Sequence, residues 1–198
     1  MSTLLPVTSL DLTHLRQHLL DLICQVAYQE GEFVLTSGQP SSYYINGKQV
    51  TLHAEGGVAV GRLLLALLPA ETVAVAGLTL GADPMVTATS VVAAYAGRSL
   101  TALIVRKEAK GHGTRAYIEG PSLPEGAAVT VLEDVVTTGQ SALKAVERLR
   151  EGGYRVNGIL ALVDRQQGGA ETYQAANIPF QPLFFISDIQ HRWRELNR

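Results

Sequence analysis

Glu133 and Asp134 stand side by side in this sequence, and three hydroxyls, Thr137, Thr138 and Ser141, follow within one short polar stretch. Two adjacent carboxylates can accept hydrogen bonds from sugar hydroxyls or help hold a divalent cation. Hydroxyls beside free backbone N–H groups can bind phosphate. A second reactive stretch runs over 106–115, where Arg106, Lys107, Lys110, His112 and Arg115 occur against the single acid Glu108. Such a run is either a solvated face or, with Gly111 and Gly113 flanking His112, a loop able to close over an anion. A third pair, Asp164 and Arg165, offers a guanidinium able to grip a carboxylate through two parallel hydrogen bonds. An ion pair of Arg165 with Asp164 or Glu171 is the alternative.

These side chains need a scaffold, and the hydrophobic pattern supplies one. Val129, Val131 and Leu132 read as a buried parallel strand that delivers the acidic pair to its carboxyl end. Gly139 relaxes the following turn. Ala142, Leu143, Ala145, Val146 and Leu149 then recur at helical spacing over 140–150. The turn therefore sits at a helix N-terminus, where unpaired N–H groups and the helix dipole favour an anion. Glycine alone would fit a plain tight turn equally well. The repelling carboxylates argue for a ligand, because open α/β sheets bind ligands at that edge. A second strand, over 72–76, runs into a glycine-bounded turn, Gly77 to Gly81, with Asp83 and Pro84 expected to cap and start the next helix. Further strands are expected over 100–105 and 158–163. Alternating β and α elements give an α/β class with a mostly parallel central sheet flanked by helices on both faces.

Outside that repeat, Leu12, Leu15, Leu19, Leu22 and Val26 trace one face of a first helix ending before Gly31. A hairpin is expected over 33–46, with its turn at Gly38 and Pro40. The tail over 179–198 carries Phe180, Leu183, Phe184, Phe185 and Ile186 and then a helix around Trp193. We read 1–198 as one domain, with a hood of about 1–55 plus 179–198 on a core of about 56–178.

Composition limits the function classes. The 198 residues are 46% hydrophobic with a mean hydropathy of +0.14 and a net charge of −2. They suit a folded chain with a substantial core and give no global attraction to nucleic acid. Cys24 is the single cysteine, so an internal disulfide and a cysteine metal cluster are excluded. No signal peptide and no apolar run long enough for a membrane span is evident, so the cytoplasm is the expected compartment. No G-x-x-x-x-G-K-[ST] occurs, which leaves a nucleoside triphosphatase loop without support.

Val-Leu-Glu-Asp-Val-Val-Thr-Thr-Gly over 131–139 resembles the phosphoribosyl pyrophosphate signature of type I phosphoribosyltransferases, with Glu133 in place of the usual first aspartate. The pattern R-K-x-x-K-x-H-G-T over 106–114 resembles the flexible loop of orotate phosphoribosyltransferases, and Tyr117 to Gly120 continues that likeness. The hairpin resembles that family's N-terminal segment, although a lysine of some members is Thr36 here, and another is Gly81. The resemblance covers nearly the whole chain.

It implies the type I phosphoribosyltransferase fold and the reaction of orotate with phosphoribosyl pyrophosphate to give orotidine 5′-phosphate and pyrophosphate. It makes Lys107 and Asp134 the catalytic residues. Arg106, Lys107, Lys110, His112, Glu133, Asp134, Val135, Val136, Thr137, Thr138, Gly139, Gln140 and Ser141 would contact phosphoribosyl pyrophosphate. Thr137, Arg165 and Tyr44 would contact orotate, while packing within the hairpin is the alternative for Tyr44. Mg2+ would come mainly with the substrate rather than in a cage of protein ligands. A homodimer sharing the 106–115 loop across subunits, with no nucleic-acid or membrane partner, completes the implied picture. The alternatives are another base, against which Arg165 and the loop speak, and a phosphoribosyl-pyrophosphate-sensing regulator that binds nucleic acid, which would need a broad basic face.

Overall fold

The computed structural model describes residues 7–34, 38, 40–110 and 117–198. Helix α1 (Leu12–Val26) is capped by Asp11, whose carboxylate accepts from the backbone N–H groups of Thr13 and His14. Two antiparallel strands follow, β1 (Tyr28–Val34) and β2 (Pro40–Ile45). The hairpin thus starts five residues before Phe33, because Tyr28 turns inward onto Trp193 and Tyr43. Then come α2 (Lys48–Thr51), α3 (Ala54–Leu67), β3 (Ala74–Leu78), α4 (Asp83–Tyr95), β4 (Thr101–Val105) and β5 (Ile118–Glu119). The chain ends with β6 (Ala128–Val136), α5 (Gln140–Glu151), β7 (Arg155–Asp164), α6 (Gly169–Ala175), β8 (Phe180–Phe185) and α7 (Ile186–Leu196).

Six strands form one sheet in the order β5-β4-β3-β6-β7-β8, parallel except for β5 at the edge. Helices cover both faces, and two apolar clusters result. Strand alternation decides which side chain joins which: Val75, Leu132, Leu160 and Leu162 face the cluster with α1, α3, α4 and α7. Ala74, Ala76, Val129, Val131 and Ile159 face the cluster with α5 and α6. Burial on both faces explains why β6 reads as a continuous apolar run.

The amino ends of three strands are tied by side chains. Thr72 Oγ1 and Thr130 Oγ1 lie 2.9 Å apart, Thr130 donates to Asn157 Oδ1, and the Asn157 amide donates back to Thr72. This polar ring is satisfied within itself. The opposite, carboxyl ends are where charges gather.

Several expectations shift. Asp83 is the first residue of α4 and Ala82 the N-cap; the Asp83 carboxylate instead accepts from Thr79 Oγ1 at 2.7 Å. Short helices α2 and α6 escaped the sequence pattern because neither is long enough to show a periodicity. In the tail, β8 joins the main sheet beside β7, and α7 packs on α1.

Candidate active site

Strand β6 carries the acidic pair inside its last turn of pleat rather than beyond it, since Val135 and Val136 still pair with β7. Glu133 is 8% exposed and Asp134 9%. Burial first, and the neighbouring Asp134 second, push the Glu133 carboxyl up to about 8, against the pull of Lys107. Its Oε2 has no hydrogen-bond partner among the described residues.

Asp134 points the other way, against two glycines. A Cβ on Gly81 would stand 2.4 Å from Asp134 Oδ1, and one on Gly47 would stand 3.1 Å from Asp134 Cβ. Lys48 Nζ lies 4.0 Å from Asp134 Oδ2. The 79–83 turn therefore closes on the carboxylate only because residue 81 lacks a side chain. Gly81→Ala should displace Asp134 and lower turnover by roughly 10²-fold while the melting temperature moves little; a wild-type rate in the folded variant would refute the contact's importance.

Gly139, at φ 83°, is the N-cap of α5 and takes the left-handed conformation that suits glycine. Tyr173 of α6 fills the space beside it, its ring 2.8 Å from where a Cβ would be. The 137–141 turn, with Glu133 and Tyr173, lines a cavity of about 80 Å³. A larger cavity of about 700 Å³ lies among α1, α3 and β8, lined by Leu12, Leu63, Leu67 and Leu183; it contains neither the turn nor the acidic pair.

Register places the next residue. Val136 pairs with Asp164, and the Arg165 N–H donates to the Val136 carbonyl at 2.9 Å, so Arg165 stands beside Thr137. Arg165 is 9% exposed. Its Nε donates to the Tyr43 hydroxyl at 3.1 Å, and its Cζ lies 4.9 Å from that ring's centroid. It has no carboxylate partner among the described residues; Asp164 accepts from the Gln166 N–H instead. The ion pair with Asp164 or Glu171 is thus not formed. Of the two tyrosines, Tyr43 reaches the guanidinium. Tyr44 is exposed and packs on Phe33, the hairpin-packing alternative, because adjacent strand residues face opposite sides.

The basic stretch begins where β4 ends. Arg106 and Lys110 share Glu119, at 3.0 and 3.7 Å. Lys107 has no ion pair among the described residues and, with Thr79, Asp83, Arg106 and Glu119, lines a cavity of about 440 Å³. His112 and Thr36 lie outside the described residues. The carboxyl ends of β3, β4, β6 and β7 therefore bring together a glycine-capped turn at the N-terminus of α5, two buried acids, a lysine without an ion pair among the described residues, and a buried guanidinium.

No family model matches the chain. An orotate phosphoribosyltransferase of Nostoc sp. is 67% identical over 195 residues, 98% of this chain and 94% of that protein. This chain belongs to the orotate phosphoribosyltransferase family. A crystal structure of Mycobacterium tuberculosis orotate phosphoribosyltransferase in complex with Fe(III) dicitrate has a TM-score of 0.79 at 36% identity, over 88% of this chain and 98% of that one. The same mycobacterial enzyme in complex with 5-phospho-α-D-ribosyl 1-diphosphate gives 0.75 at 33%, over 89% and 99%. The type I phosphoribosyltransferase fold expected from the 131–139 signature is the observed one. Within this orotate phosphoribosyltransferase fold, sequence reasoning missed Lys48 and Tyr43. Lys48 sits in a short helix without pattern, and Tyr43 is told from its neighbour only by strand phase.

Proposed function

We propose that the 137–141 turn, the acidic pair, Lys107 and Arg165 are the machinery with which this chain transfers the phosphoribosyl group of phosphoribosyl pyrophosphate to orotate, releasing pyrophosphate and leaving orotidine 5′-phosphate for pyrimidine synthesis. One observation carries the choice of base: Arg165 is a buried cation with a tyrosine hydroxyl but no carboxylate partner among the described residues. An unpaired buried charge is costly, so a ligand carboxylate is its natural complement. Orotate supplies one, and adenine and hypoxanthine do not.

Backbone N–H groups at the start of α5 and the hydroxyls of Thr137, Thr138 and Ser141 take the 5-phosphate. Glu133 and Asp134 accept the ribose hydroxyls and hold C1 of the sugar in line between leaving group and base. Lys107, with Arg106, Lys110 and His112 of the same loop, faces the charge that grows on departing pyrophosphate. Arg165 and Thr137 fix the carboxylate edge of orotate so that its ring nitrogen meets the sugar from the other side. No covalent nucleophile is needed, because loss of pyrophosphate leaves an oxocarbenium-like sugar that the base nitrogen captures.

Among the described residues no three histidine, cysteine or carboxylate groups cluster to hold a metal. The two carboxylates of β6 fit Mg2+ held chiefly by substrate oxygens, which would offset diphosphate charge. A base-by-base assay with phosphoribosyl pyrophosphate tests the reading: orotate should be consumed, only with magnesium, and adenine and hypoxanthine left untouched. Rapid use of either purine with none of orotate would overturn it.

The hairpin, α1 and α7 form the hood over this edge in our reading, with β8 part of the core. A homodimer sharing the loop rests on the family resemblance and on the charge crowding of 106–115. Mixing Lys107→Ala with Asp134→Ala chains, each nearly inactive alone, should restore up to about one quarter of wild-type activity by symmetric-dimer counting. No recovery after demonstrated subunit exchange would mean that the loop serves its own subunit. The single, buried Cys24 suits the reducing cytoplasm.

A further inference from the structure

Arg148 is the third charged residue from the end of α5, a position that reads in sequence as solvent-facing, yet it is 8% exposed. Its Nη1 donates to the backbone carbonyl of Arg106 and its Nη2 to that of Lys107 at 2.7 Å. Its Cζ lies 4.0 Å from the centroid of the Tyr117 ring. Arg106 N–H in turn donates to the Tyr117 carbonyl at 2.8 Å. One side chain thus clasps both the outgoing and the returning strand at the root of the basic loop. A planar fork suits the task, since it satisfies two carbonyls in its plane and stacks on a ring with its face. The clasp also links two candidate binding elements through one helix: Arg148 lies nine residues along α5 from Gly139, roughly 13 Å at about 1.5 Å per residue. The helix that presents the anion-binding turn is the helix that fixes the loop's root.

We infer that Arg148 is a positioning residue for the transfer: by holding the 106–107 backbone and Tyr117 to α5, it sets where Lys107 leaves the root of the basic loop. This rests on the assignment of Lys107 to the leaving pyrophosphate. A residue acting through Lys107 has a signature that a merely stabilising residue lacks, because removing it should matter little once Lys107 is gone.

The test is a double-mutant cycle of Arg148→Met, which keeps the apolar stem and loses the fork, with Lys107→Ala. Steady-state kcat and KM would be measured for the full-length protein. Arg148→Met should lower kcat by roughly tenfold to hundredfold and leave the KM for orotate within about twofold, since Arg165 follows β7, apart from the clasped 106–107 backbone that follows β4. In the Lys107→Ala background, Arg148→Met should change kcat by less than about threefold. Arg148→Lys, which keeps the charge without the fork, should recover only part of the loss. If Arg148→Met does not fold, the cycle is run with Arg148→Lys.

Losses that multiply in the double variant would overturn the inference and leave the Lys107 assignment standing, as would a folded Arg148→Met with wild-type kcat. A Lys107→Ala variant with wild-type kcat would overturn both.

Discussion

Arg165→Ala should cut orotate turnover by about 30-fold to about 5,000-fold, which corresponds to the roughly 2–5 kcal/mol lost when a buried charge partner of a carboxylate is removed. Binding of phosphoribosyl pyrophosphate should persist, because the acidic pair stands on β6 and the turn follows that strand, while Arg165 follows β7. Arg165→Lys should recover little, since an ammonium offers neither the two parallel hydrogen bonds nor a flat face for the Tyr43 ring. The measurement is kcat/KM for orotate beside a direct binding assay for phosphoribosyl pyrophosphate. A folded variant that retains orotate turnover would remove Arg165 from the base site.

Glu133→Gln should change stability and activity in opposite directions. The Glu133 carboxyl is held near 8 in the fold against an ordinary value of 4.5. Between those values the folded chain keeps a proton that the unfolded chain releases. Stability from this group is therefore fully present below about 4.5 and is lost as pH rises through about 8. Above that, the wild type bears a buried anion beside Asp134, whereas the glutamine variant bears none. The variant should be the more stable by on the order of a few kcal/mol at alkaline pH, with the advantage vanishing at acid pH. Its turnover should fall, because an acceptor for a ribose hydroxyl is lost. Thermal melts of both proteins across pH check this, and parallel melting curves at every pH would show that Glu133 carries no such burden.

The turn from β6 into α5 was legible because two strong local signals coincide there, a strand buried on both faces and a helix with one apolar stripe. The sheet's parallel order followed from alternation of those signals. Contacts made by single side chains across the fold were not legible. Tyr43 and Tyr44 are indistinguishable until strand phase is known, and the two differ by everything that matters to Arg165. Arg148 sits among Glu147, Arg150 and Glu151, a setting that describes a wet helix face, so its burial under the loop root has no local mark. Asp83 before a proline carries every sign of a cap, but Thr79 claims its carboxylate from the preceding turn. His112, the most chemically suggestive residue of the basic loop, lies outside the described residues.

The contact between Gly81 and Asp134 also constrains the paths by which such a sequence could change. The family resemblance implies that some members carry a lysine where this chain has Gly81. Any side chain there begins with a Cβ inside the space of Asp134 Oδ1. The two states are thus separated by a valley: a single codon change from glycine disturbs the acid before the new ammonium can contribute anything. A lysine there that leaves Asp134 in place needs the 79–83 backbone moved away from β6. A graft of the lysine into this protein would therefore have to bring a shifted turn with it.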